Sequence, residues 1–214
     1  VLACTGAAGS ALAAPAGDGR HFPHFGLLGE RVALRKLPAE LRLLVTGPPG
    51  AKGFGSFSDL GHGPVWFGEV ERPNATLAAV AKGHWICQYE LSEDELGGGG
   101  SICAPAVAAR DFGLLDVTSC GKGRPTHFRI HALLPDGVTG VEIEKEDGTI
   151  GRTVPVVENT VAFRVGRENL ALHGVGDAAA EGLQRNLPLA RAANLGDDRP
   201  GCAFYSFFEG SSDE

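Results

Sequence analysis

Apolar and polar residues alternate most regularly in the middle of the chain. The run Phe128-Arg129-Ile130-His131-Ala132-Leu133-Leu134 has the period of two that a half-buried strand requires, and it enters the turn sequence Pro135-Asp136-Gly137. Asp147-Gly148 predicts a two-residue hairpin that sets Glu146 opposite Thr149, Lys145 opposite Ile150, Ile143 opposite Arg152 and Val141 opposite Val154. In that register Val141, Ile143, Ile150 and Val154 share an apolar face, with Lys145 and Arg152 at its edges. Glu142, Glu144, Glu146, Thr149 and Thr153 share the polar one. A second tight turn at Glu158-Asn159 sets Val156 opposite Val161 and Val154 opposite Phe163, which continues the apolar face, and Gly140 marks a bulge. The pattern predicts an antiparallel meander over residues 127–165. Its apolar face needs a cover, which strands around residues 65–70, 84–91 and 114–118 would supply. The expected fold is therefore mainly β, a sandwich or small open barrel with one N-terminal helix.

That helix is expected over residues 27–45, where Leu27, Leu28, Leu34, Leu37, Leu41, Leu44 and Val45 keep a mostly helical spacing interrupted at Pro38. Residues 47–63 turn to Gly, Pro, Ser and Phe and read as loop. A short helix is expected over residues 177–191, weakened by Gly182 and Pro188. The aromatic run Phe204, Tyr205, Phe207 and Phe208 reads as a final strand or a tail. The chain thus divides into a leader-like segment 1–16, a linker, helix and loop over 17–63, a β domain over 64–169 and an irregular segment 170–214.

Composition narrows the function. At 214 residues the chain suits one globular domain with appendages, and 43% hydrophobic residues allow a packed core. The formal charge of -7 gives no electrostatic reason to bind nucleic acid or an anionic membrane. Residues 1–16 are small and apolar and end in Ala11-Leu12-Ala13-Ala14-Pro15-Ala16, similar to a signal-peptide core running into its cleavage site. Secretion is the expectation. A lipobox at Val1-Leu2-Ala3-Cys4, with Cys4 acylated, is a second reading, and an Ala/Gly tail a third. With Cys4 in a leader, Cys87, Cys103, Cys120 and Cys202 remain, an even number that suits an oxidising compartment. Their spacings of 16, 17 and 82 residues do not match a structural zinc site, so disulfides are expected. Cys87 with Cys103 is the favoured pair, because the intervening Gly97-Gly98-Gly99-Gly100 lets the chain reverse, which leaves Cys120 for Cys202.

The stretch from Leu134-Pro135-Asp136-Gly137-Val138 through Glu142, Asp147-Gly148, Val154-Pro155-Val156 and Asn159 to Phe163 resembles uncharacterised exported or membrane-anchored actinobacterial proteins. In those, the same turns and strands follow a cysteine-bearing Gly-rich hairpin, to which Cys87 through Ile102-Cys103-Ala104-Pro105 is similar. The resemblance covers roughly residues 84–165 and implies export; it carries no activity.

Candidate chemistry is sparse. Gly47-Pro48-Pro49-Gly50-Ala51-Lys52-Gly53 fails the Walker spacing, because Lys52 comes one residue early with no hydroxyl behind it. Asp111-Phe112-Gly113 lacks every other kinase element. His127 and His131 on one strand stand about 13 Å apart, too far for one metal, and His21 and His24 lack neighbouring carboxylates. His84 and Cys87 have opposite strand parity, and Ser119-Cys120 near Lys122 lacks a nucleophile elbow. Glu90, Glu93, Asp94 and Glu95, like Glu142, Glu144 and Glu146, read as solvated rims rather than as a glycosidase pair or a calcium loop. Trp85, Cys87, Tyr89 and Leu91 read as a core stripe behind the disulfide, and Trp66 and Phe67 add aromatic surface. No catalytic, cofactor-binding or metal-binding residue is assigned and no cofactor is expected. The best reading is a non-catalytic exported module that binds or stiffens a component of the bacterial cell envelope, or a protein partner there. A secreted hydrolase with an unidentified acid/base pair and an extracytoplasmic sensor domain are the alternatives.

Overall fold

A computed structural model of the chain describes residues 22–46, 63–72, 75–91, 101–121, 126–177, 180, 182–192 and 201–206. The fold is mainly antiparallel β, in three sheets that do not close into a barrel, as the alternation predicts. Sheet I joins β1 (Glu30–Val32), β2 (Val65–Arg72), β3 (Ala75–Lys82), β4 (Trp85–Leu91) and β5 (Ser101–Pro105) in sequence order. After helix α2 (Ala106–Phe112), the chain enters β6 (Leu114–Gly121), β7 (Phe128–Leu133), β8 (Val138–Lys145), β9 (Ile150–Pro155) and β10 (Thr160–Val165). It closes with β11 (Leu170–Gly176), β12 (Gln184–Leu187), a short α3 (Leu189–Ala192) and β13 (Gly201–Ser206). Sheet II has the order β10-β7-β6-β13 and sheet III the order β12-β11-β8-β9.

Three apolar clusters show how the layers stack. Val117, Phe128, Ile130, Val161 and Phe163 of sheet II meet Val141, Ile143, Leu170 and Leu172 of sheet III. The opposite face of sheet II gives Leu114 and Leu133 to a second cluster with Ala79, Ala81, Ile86, Ile102 and Ala104 of sheet I. The outer face of sheet I, with Ala78, Val80, Cys87 and Tyr89, is covered by Leu41 and Val45 of helix α1 (Ala39–Thr46). Sheet II is thus the middle layer, enclosed on both faces. A loop over residues 22–28 closes one side of the sheet I/II interface, packing Phe22, Phe25 and Leu28 into the second cluster. Its backbone passes so near β2 that a Cβ on Gly68 would lie 1.9 Å from the Leu27 carbonyl oxygen, which makes glycine a requirement there.

Several expectations need correction. The N-terminal helix is confined to α1: Pro38 accepts a hydrogen bond from the Arg42 amide at 2.8 Å, while its ring disfavours helix in the residues before it. Those residues form β1 and a 3-10 turn at Leu34–Lys36 instead. Residues 127–165 are not one meander. Strands β7 and β10 pair in sheet II, with Ile130 opposite Phe163, whereas β8 and β9 pair in sheet III. The turns at Pro135-Asp136-Gly137 and Glu158-Asn159 carry the chain between layers. Glu158 and Asn159 do form the expected tight turn, with φ of 48° and 60°, but it supports only the Val157 to Thr160 bridge. Pro155, which has no N–H to offer a further strand, ends β9 just before it.

The Asp147-Gly148 hairpin also has a different turn. The Lys145 amide bonds to the Thr149 carbonyl at 2.9 Å and Gly148 takes a φ of 80°, so three residues, Glu146 to Gly148, make the connection. The register shifts between Ile143 and Glu144, which restores Ile143 opposite Arg152 and Val141 opposite Val154 but pairs Ile150 with Glu144. Ile150 is therefore turned out of the core and is 50% exposed. The expected bulge at Gly140 falls on the other neighbour, where the β8/β11 register shifts between Val175 and Gly176. The described residues of 170–192 form strands β11 and β12 and the four-residue α3, so that of the helix expected over 177–191 only the end, from Leu189, is helical; Arg185 and Leu187 alternate inward along β12, and Pro188 follows it. Of the aromatic run, Phe204 and Tyr205 lie in β13, a strand on β6, the first of the two outcomes expected; Phe207 and Phe208 lie outside the described residues.

Candidate ligand-binding site

Strand β4 sends Ile86, Gln88 and Glu90 toward sheet II, so its inner face grades from apolar to charged along its length. Opposite it, β6 presents Leu114, Asp116 and Thr118, and β7 presents Leu133, His131 and Arg129. The register pairs Asp116 with His131 and Thr118 with Arg129. A strand buried on both faces cannot send polar residues to solvent, and these converge on one another instead. Glu90, 1% exposed, accepts from Arg129 Nη1 at 3.0 Å and from Thr118 Oγ1 at 3.3 Å. Its second oxygen also stands 2.9 Å from His131 Nδ1. Burial alone would raise the Glu90 pKa, but the hydrogen bonds and charges of His131 and Arg129 outweigh it and hold the carboxyl below its ordinary value. At Asp116 the balance is reversed, and the charge of His131 is outweighed. Burial, reinforced by the negative charge of Glu90, pushes its pKa up to about 6. Among the described residues, Asp116 Oδ1 and both polar atoms of the Gln88 amide have no hydrogen-bond partner.

The cluster opens at one end. Beside β10, which is the edge of sheet II, and β9, which is the edge of sheet III, lies a cleft of about 460 Å³. Arg129 and His131 are its inner wall, and Ala162 and Arg164 extend that wall because β10 pairs them with His131 and Arg129. Arg72 reaches across from sheet I; Val154, Pro155 and Phe163 supply the apolar side. Arg72 holds the turn that frames the cleft, donating from Nη2 to the Val157 carbonyl at 2.6 Å and the Thr160 carbonyl at 2.7 Å, and bonding the Thr160 hydroxyl. Arg152 donates to the Arg164 carbonyl at 2.7 Å, and its guanidinium carbon lies 5.7 Å from the centre of the Phe163 ring. At the same turn, Asn159 Oδ1 accepts from the Leu27 amide at 2.8 Å, and its Nδ2 donates to the Leu134 carbonyl at 3.0 Å.

The sequence-derived candidates fall as follows. Cys87 and Cys103 are direct cross-strand partners on β4 and β5, and their sulfurs stand at disulfide distance, 1.92 Å apart. Cys202 lies directly opposite Cys120 in the β6/β13 register. Glu90, expected on a solvated rim, is buried; Glu142 and Glu144 are half-buried on the outer side of sheet III, with Glu144 2.6 Å from His173 Nε2. Asp111, Phe112 and Gly113 are the end of α2, where Gly113 caps the helix at a φ of 66°. Tyr89 and Cys87 are buried and Trp85, Phe67 and Leu91 pack around them, while Trp66 joins the cluster between sheets I and II. The loop around Lys52, Glu93 to Glu95, His21, Cys4 and Lys122 lie outside the described residues. Among the described residues, no group of three His, Cys, Asp or Glu side chains is arranged to hold a metal ion, and no helix is long and apolar enough to cross a membrane.

Arg72, Arg129 and Arg164 were not distinguished by the sequence. The available signal was the placement of Arg129 and His131 in a strand flanked on both sides by apolar runs that each need a covering layer. No protein-family model, curated protein or solved structure matches the chain.

Proposed function

We propose that the protein is a non-catalytic binding module that works outside the cytoplasm, as an exported component of a bacterial envelope, and holds a small ligand in the cleft between the β9 and β10 edges. The cleft carries this reading: it is concave, pairs an apolar wall with a few convergent polar groups, and is framed by side chains already fixed by hydrogen bonds. The Cys87–Cys103 pair is compatible with an oxidising compartment. A hydrolase reading asks for two carboxylates facing a substrate, whereas Glu90 and Asp116 are 1% and 2% exposed and point into the interface of sheets I and II. The test is a ligand-observed NMR screen with fragments of varied charge, followed by chemical-shift mapping on labelled protein. The expected result is saturable binding that moves Ala162, Phe163 and Val154 resonances, with the ligand recovered chemically unchanged. Turnover of the ligand, or shifts confined to another face, would contradict the proposal.

A further inference from the structure

We infer that the ligand of this cleft carries an oxyanion, a carboxylate or phosphate group, on an apolar body, and that Arg164 is the residue that recognises it; this rests on the binding role proposed above. The cations at the cleft are not equivalent. Arg129 gives Nη1 to Glu90, and Arg72 spends Nε and Nη2 on Thr160 and Val157. Arg164 is exposed, and among the described residues its guanidinium makes no hydrogen bond or ion pair; Arg152 bonds to its backbone carbonyl. A planar guanidinium so placed presents a fork that matches a carboxylate or phosphate by two parallel hydrogen bonds.

Charge around it points the same way. Three arginines line the cleft, among the described residues no carboxylate does, and Glu90 behind its inner wall is committed to Arg129 and His131. Glu158 lies close enough to act on Arg72. A chain with a formal charge of -7 thus places three arginines together at this edge. A neutral ligand filling the cleft would strip water from Arg164 without replacing it, whereas an anion would both displace the water and pair the charge. Phe163, Val154 and Pro155 on the other side take the apolar body. A neighbouring groove of about 250 Å³ shares Arg164 with the cleft and, among the described residues, is lined by Lys145 and Arg152 and by one carboxylate, Glu168, so its cations outnumber its anions.

The experiment compares benzoate, phenyl phosphate and the neutral isostere benzamide by calorimetry and NMR titration, on the wild-type protein and on Arg164→Gln. Arg110→Gln is the control, since Arg110 is an exposed arginine of α2 paired with Asp111. Benzoate or phenyl phosphate should bind saturably and at least tenfold more tightly than benzamide, and Arg164→Gln should erase that preference while Arg110→Gln preserves it. The relative affinities of the two anions identify the head group. An unchanged melting temperature for Arg164→Gln, expected for an exposed side chain, excludes misfolding as the cause. Equal binding of benzamide and benzoate, or anion binding indifferent to Arg164→Gln, would overturn the inference and leave the binding role intact. Absence of saturable binding by all three would count against both.

Discussion

Asp116 and Glu90 are two carboxylates in one interface whose pKa values are pushed apart. Glu90 is held below its ordinary value by His131 and Arg129, so it stabilises the fold above that value and loses its contribution as the pH falls. Asp116 behaves oppositely. The folded protein holds its proton more tightly than the unfolded chain, so Asp116 does not oppose folding below about pH 4 and opposes it increasingly as the pH rises through 6. A rise from 3.8 to about 6 corresponds to roughly 3 kcal/mol. Asp116→Asn removes the ionisation and leaves the shape. In urea titrations the variant should gain on the wild type by roughly that amount between pH 4 and pH 7, whereas a stability difference independent of pH would show that Asp116 is not the strained group.

At the scale of elements, the β8/β9 hairpin separates two residues that look alike in the sequence. Ile143 is 4% exposed and packs between sheets II and III, while the three-residue turn and the register shift move Ile150 to the solvent side. Ile143→Ala should cost about 2–5 kcal/mol and Ile150→Ala about 0.5 or less in a denaturant titration. Comparable losses would mean the hairpin keeps an unshifted register. Alternation and turn chemistry made this face legible: Val141, Ile143, Val161 and Phe163 are buried as their spacing requires. The extra residue was not legible, because Asp-Gly suits a two-residue turn and also the last two places of a three-residue one with glycine at positive φ. Nor was the transfer of β10 to sheet II, since local pattern does not say which layer receives a strand.

The cysteines belong to the same scale. Both candidate pairs occupy directly opposed positions on antiparallel strands, Cys87 with Cys103 and Cys120 with Cys202. Peptide mapping without reductant, on protein prepared under oxidising conditions, should recover two linked fragments with these partners. The first closes a loop of about 17 residues and should stabilise the fold by about 3 kcal/mol in the chain-entropy model. Free alkylation of Cys87 and Cys103 in the native protein, or exchanged partners, would contradict the assignment and remove the main support for an oxidising compartment.

At the scale of the whole molecule, the middle sheet links stability to function. Its one face is the apolar core with sheet III; its other face changes from Leu114 and Leu133 to the Glu90, His131 and Arg129 cluster and ends at the cleft. A sequence read as a single meander has one buried side and one wet side, and on that plan Glu90, Arg129 and His131 fall on the wet side. The third layer brings them together as an interacting, largely buried group and leaves Arg164 at the opening. The binding role, with its anionic ligand, is most directly tested by a crystal structure of the protein soaked in benzoate at low salt. The account predicts the carboxylate against the Arg164 guanidinium and the ring beside Phe163 and Val154. A cleft without benzoate in such a crystal, with the compound bound elsewhere or nowhere, would contradict it.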